Sequence, residues 1–165
     1  MKNGLFLLFF VLFLASSCRN DEQEVQQIDQ VLRLYIDSAG RDMLNSNITG
    51  TYRNIRLNDV YGITDTAPVS FLLKKDSDTL NYLVYIAGAR RIGIDSAGTT
   101  KTYESKIALT FDRKINDSTS FAVNDTMTIR YSWTPELFQI SKVWYNNADV
   151  FTKNAGQPNI IKIKK

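Results

Sequence analysis

The sequence predicts an all-β fold, an antiparallel two-sheet sandwich of immunoglobulin-like shape, and three observations carry that reading. Past the first 27 residues the chain breaks into short β-rich runs separated by turn residues, the pattern of sandwiches and barrels. In the second half, Ile107, Leu109 and Phe111 alternate with Ala108 and Thr110, and Met127, Ile129, Tyr131 and Trp133 alternate with Thr128, Arg130 and Ser132. A period of two turns one face of a strand toward a core and the other toward water. No long amphipathic helix is convincing beyond the N-terminal segment.

That segment comes first. Lys2 precedes an unbroken apolar run at 5–14 (LFLLFFVLFL), and Ala15, Ser16 and Ser17 follow it, so residues 1–17 read as a signal peptide. Crossing a bilayer takes about 20 apolar residues, and this run falls well short. The stretch Leu14-Ala15-Ser16-Ser17-Cys18 resembles the lipobox of lipoprotein signal peptidase, with Ala15 where that pattern usually has leucine. The resemblance implies cleavage before Cys18, lipidation of its sulfur, and a membrane partner held through that lipid. Cys18 is the only cysteine in the chain, and a lone exposed thiol is a liability in an oxidising compartment. Ala15 and Ser17 also fit the small-x-small rule of ordinary signal peptidase, which would leave Cys18 a free thiol in a secreted protein.

Residues 18–27 carry almost nothing to bury and read as a flexible tether. Within it, Asp21, Glu22 and Glu24 resemble the surface-export signal of lipoproteins from the Bacteroidota. Arg19, rather than aspartate, follows the cysteine, so the inner-membrane retention signal of enteric bacteria is missing. The expected location is therefore the cell envelope, at the outer membrane. The net charge is only +3, including Lys2. That gives no broad basic field for nucleic acid, and Lys162, Lys164 and Lys165 read as a solvated end.

One β domain is expected over 28–165. Residues 31–37 (VLRLYID) start it and Ser38-Ala39-Gly40 end that strand; a helix over 24–36 is the alternative, because Val25, Ile28, Leu32, Tyr35 and Ile36 fall near helical spacing. Further strands are expected at 54–61, at 69–74 after Pro68, and at 80–87 after a turn at Asp76-Ser77-Asp78, whose side chains can bond their own backbone. Residues 90–94 continue or restart after Gly88. The strands at 107–111 and 127–133 follow, then 138–145 and 160–163, for roughly eight strands in all.

Two segments carry a resemblance. Residues 31–45 (VLRLYIDSAGRDMLN) look like the first strand and turn of small Bacteroidota lipoproteins, with Gly40, Asp42, Met43, Leu44 and Asn45 matching. Lys142-Val143-Trp144-Tyr145-Asn146-Asn147 is similar to their closing strand and turn. The resemblance implies an envelope β domain of a family with no assigned activity.

The chemistry is bounded by what is missing. The chain has no histidine, which removes the usual general base near neutral pH and the base of a Ser-His-Asp triad. With Cys18 acylated there is no thiol nucleophile and no Cys/His zinc site. Carboxylate chemistry of the glycosidase kind survives, with Glu104 and Glu136 the only glutamates beyond the tether, but nothing in their spacing pairs them. Asp37 to Asp42, Asp76-Ser77-Asp78 and Asn116-Asp117-Ser118 offer oxygen ligands for calcium without the full loop spacing; turn chemistry, which demands the same residues, is the favoured reading. The expectation is no metal and no cofactor.

Aromatics remain. Trp144 and Tyr145 are the candidate ligand contacts, since adjacent residues of a strand face opposite ways and one must lie outside the core; Trp133 reads as core. The chain is thus expected to be a non-enzymatic, lipid-anchored binding or accessory module with an envelope protein or glycan as partner. A carboxylate-based glycan hydrolase and a structural subunit of a surface assembly are the alternatives. The last predicts an open sheet edge.

Overall fold

The computed structural model describes residues 25–116 and 118–165. The expected signal peptide, Cys18, the acidic cluster and Asp117 lie outside the described residues. Among the described residues there is no helix, so the helical alternative for 24–36 gives way to strands. Twelve strands form: β1 (Gln27–Asp29), β2 (Leu32–Ser38), β3 (Arg41–Asp42), β4 (Tyr52–Asp59), β5 (Leu72–Lys75), β6 (Asn81–Tyr85), β7 (Ile92–Ala97), β8 (Thr100–Lys114), β9 (Ser120–Trp133), β10 (Leu137–Tyr145), β11 (Ala148–Thr152) and β12 (Asn159–Lys164).

They make two sheets around one core. The seven-stranded sheet runs β1-β10-β9-β8-β4, with β11 continuing along the outer side of β10 and β7 along the outer side of β8. The five-stranded sheet runs β12-β2-β6-β5, with β3 paired to β2. The spine of the seven-stranded sheet is the β8–β9 hairpin, in register from Lys101↔Trp133 to Lys114↔Ser120. The alternation seen in the sequence sets its faces: Ile107, Leu109, Phe111, Met127, Ile129 and Tyr131 are all fully buried. Leu32, Leu34 and Ile36 of β2, Leu83 and Tyr85 of β6, and Ile161 and Ile163 of β12 face them from the second sheet. Each such side chain contributes about 1.5–3 kcal/mol on leaving water.

Most pairings are antiparallel, as expected, but two are parallel: β1 with β10 and β12 with β2. Parallel neighbours cannot be joined by a tight turn, and here they join segments from opposite ends of the domain. The strand expected at 69–74 begins only at Leu72, because the chain changes sheets there. Asn58 bridges Pro68, and Val69 N donates to Leu57 O at 2.9 Å, both against β4, before β5 joins β6. Strand β11 was not expected. It follows a two-residue turn at Asn146 and Asn147, whose φ values of 49° and 66° suit asparagine.

Two hairpins show turn chemistry at work. Asp76 Oδ1 accepts from Asp78 N at 3.0 Å and Leu80 N at 2.9 Å, closing the β5–β6 turn. Between β2 and β3, Ala39 and Gly40 both take positive φ, 52° and 77°, and Gly40 N donates to Asp37 Oδ1. These carboxylates are engaged by their own turns.

Candidate functional site

The two sheets differ in length, and the difference makes the site. β8 and β9 are 15 and 14 residues long, whereas the facing strands β2 and β6 are 7 and 5. At the end where β8 begins and β9 finishes, the inner face of the larger sheet therefore outruns its cover. The residues left there continue the buried stripe: Tyr103 follows the parity of Ile107, Trp133 that of Ile129 and Tyr131, and Phe138 that of Ile140. They are aromatic, and they form the floor of a trough of about 340 Å³.

Its walls come from two other segments. Ile28 lies on β1 and Gln26 and Gln30 flank it, and Arg91 precedes β7. The Arg91 guanidinium lies 4.7 Å from the Phe138 ring centroid and 4.9 Å from that of Tyr131, stacked where the core opens. Arg91 Nη2 donates to Gln30 Oε1 at 2.6 Å, while its Nε is buried with no hydrogen-bond partner. Gln26 Nε2 donates to Thr134 O at 2.6 Å, and the Lys101 ammonium sits 4.9 Å from the Trp133 ring centroid. Among the described residues no carboxylate lines the trough. The arrangement offers stacking surface, two amides and one fixed cation, which suits binding rather than proton transfer.

The segment that carries Gln26 and Gln30 is held by a part-buried polar latch. Lys153 Nζ donates to Asp29 Oδ2 at 2.5 Å and to Asn159 Oδ1 at 3.0 Å, and Asn159 Nδ2 donates to Asp29 Oδ1 at 2.9 Å. The Lys153 side chain is almost fully buried. One cluster thus ties β1 to the ends of β11 and β12 and fixes the trough wall.

Alternation puts Trp144 and Tyr145 on opposite faces, and a bulge decides which of them faces out. β10 pairs Ile140 with Tyr131 and then Lys142 with Arg130, so Ser141 is the extra residue and inverts the alternation beyond it. Ile140, Val143 and Tyr145 are buried while Trp144 faces out. Tyr145 is thus corrected from candidate contact to core residue. Its hydroxyl donates to Asp125 Oδ2 at 2.7 Å, and burial with that bond pushes the phenol pKa up.

Outward, Trp144 is occupied from both sides. The Arg130 guanidinium and Lys142 ammonium lie 4.7 and 5.1 Å from its ring centroid, and Lys142 pairs with Asp149 at 2.5 Å. The ladder continues through Arg130 Nη2, which donates to Glu104 Oε2 at 3.3 Å, and Tyr61 OH, which donates to Glu104 Oε1 at 2.9 Å. Burial first, and then the bond to Glu104, raise the Tyr61 pKa. Glu136 is exposed in the β9–β10 turn. The three residues from Arg130, opposite Glu104, to Trp133 alone span about 10 Å, so the two glutamates are not brought together. Among the described residues no three acidic side chains converge as a metal would require.

Sequence reasoning missed the trough. Trp133 was assigned to the core, and it is half-buried at the core's open end; Gln26, Gln30, Arg91, Tyr103 and Phe138 were not singled out as a site. The available signal was parity, since Tyr103 extends the stripe of Ile107 and Leu109 toward an end the second sheet is too short to cover. Compared with protein-family models, curated proteins and solved structures, the chain matches none.

Proposed function

We propose that this chain is a non-enzymatic binding or accessory module of the cell envelope, anchored through lipid on Cys18 at the outer membrane, whose recognition surface is the aromatic trough. The carrying observation is the half-buried pair Tyr103 and Trp133, set beside Arg91 and the buried Phe138, with no carboxylate among the described residues that line the trough. The lipobox-like Leu14-Ala15-Ser16-Ser17-Cys18 supports the anchor, and the likeness of 31–45 to small Bacteroidota lipoproteins supports the location. We read the two facing sheets as a sandwich of immunoglobulin-like kind, a shape in which end loops commonly bind. Glu104 is engaged by Arg130 and Tyr61, which leaves the hydrolase reading without a free carboxylate pair.

The test screens the full chain against envelope glycans and envelope proteins, alongside Trp133→Ala and Arg91→Ala. Specific binding that falls at least about tenfold in both variants is expected. Binding untouched by either substitution moves recognition elsewhere, and no specific binding at all removes the module reading. Fatty-acid labelling of the native chain and of Cys18→Ala checks the anchor separately.

A further inference from the structure

We infer that the trough end of the domain docks on the lipid surface itself, so that the bilayer interface is the trough's partner; this deepens, and rests on, the lipid-anchored reading. The first argument is reach. Val25, the first described residue, enters the domain beside the trough, since Gln27 pairs with Leu137 at the start of β10. Six residues lie between it and Cys18, and the seven steps extend to at most about 25 Å. A lipid on Cys18 therefore keeps Val25, and with it this end of the domain, within that distance of the membrane.

The second argument is what this end exposes. Val25 is 92% and Ile28 61% exposed, and Val31, Ile86 and Ile94 are exposed beside them. Val31 and Ile86 adjoin the Leu32↔Tyr85 pair, and Ile94 lies on β7 where it meets the first residues of β8. With the half-buried Tyr103 and Trp133, these are the apolar and aromatic side chains this end presents, the composition that settles at the headgroup level of a bilayer. Charges on this end are mixed: Arg90, Arg91 and Lys101 are offset by Asp95 and Glu136. Contact is thus carried by apolar and aromatic groups, and added salt is expected to change it little.

The chain holds only two tryptophans, and they report on the two alternatives. Trp133 lies in the trough; Trp144 pairs with Thr128, five residues further along β9, and faces the other side of the sheet. The acylated full chain is reconstituted into phosphatidylethanolamine–phosphatidylglycerol vesicles carrying a nitroxide in the headgroup region, as Trp144→Phe and Trp133→Phe, each leaving one tryptophan. Emission of Trp133 is expected to fall about twofold or more while Trp144 is nearly unchanged. Val25→Asp with Ile28→Asp should restore Trp133 emission in protein that still sediments with the vesicles.

Vesicle-bound, acylated protein whose Trp133 is unquenched, or whose two tryptophans are quenched alike, overturns the docking while the anchor stands. Trp133 shielded by an added envelope glycan or protein, with lipid quenching absent, overturns it in favour of that partner. An unmodified Cys18 in the native protein brings down the anchor and the docking together.

Discussion

Asp125 shows how one side chain couples burial to acid stability. It is 5% exposed, and its carboxylate accepts from Tyr145 OH at 2.7 Å, Asn146 Nδ2 at 2.7 Å and the Lys165 ammonium. Burial alone would raise its pKa, but the bonds from Lys165, Asn146 and Tyr145 together outweigh that and hold it below the ordinary value. A depressed carboxyl contributes stability that is fully present above its unfolded-state pKa and lost as pH falls through the folded one. The loss therefore belongs below about pH 4. Asp125→Asn should cost about 2–3 kcal/mol at neutral pH and flatten the acid limb of urea denaturation; an unchanged acid limb would refute the assignment. Ala39 is the opposite case, an alanine at φ 52° in the turn between β2 and β3. Ala39→Asn should stabilise the domain by about 0.5–1 kcal/mol, read as a higher urea midpoint, because asparagine tolerates the left-handed region where alanine is strained.

Among the elements, the β8–β9 hairpin and the β1 latch have different work. Ile129 is fully buried at the centre of the hairpin, paired with Ser105 and Val143. Ile129→Ala should destabilise the domain by about 2–5 kcal/mol in chemical denaturation, the range for a buried cavity of that size. β1 has only three residues, and its hold on β10 includes Gln27 N donating to Glu136 O at 2.8 Å. Short edge segments open locally before the whole fold does. Asp29→Ala removes the carboxylate that Lys153 and Asn159 share, so the Gln27 amide should exchange with solvent at least about tenfold faster while the amides of β9 keep their protection. Equal acceleration in both would mean that Asp29 acts on global stability and not on the trough wall.

At the scale of the whole molecule, closure depends on pairing across nearly the full domain. β12 lies parallel to β2 from Asn159↔Leu32 to Lys164↔Asp37, and it supplies Ile161 and Ile163 to the core. Contacts of such sequence separation form late and slowly. Deleting residues 159–165 should therefore abolish cooperative thermal unfolding, read by near-ultraviolet circular dichroism. A sharp transition in the shortened chain would show that the larger sheet is stable without its cover.

What the chain order alone determined is local. Alternation in 107–111 and 127–133 names the buried face of both long strands, because side chains of a strand point to opposite sides with a period of two. Asp76, Asn146 and Gly40 mark turns, because their backbone preferences act over a few residues. The pair Trp144 and Tyr145 was legible only as a pair: the alternation says that they face apart, and the extra residue at Ser141 decides which one faces out. That bulge depends on how β10 meets β9, not on the composition of β10. The trough is less legible still. Tyr103 and Trp133 look like any core aromatics in sequence, and they stay partly uncovered beside the buried Phe138 only because the facing sheet is shorter. Arg91, Gln26 and Gln30 reach them from segments far apart along the chain. Periodicity fixes which way a side chain points, whereas what it meets is set by the length and pairing of distant strands, which tertiary structure alone decided.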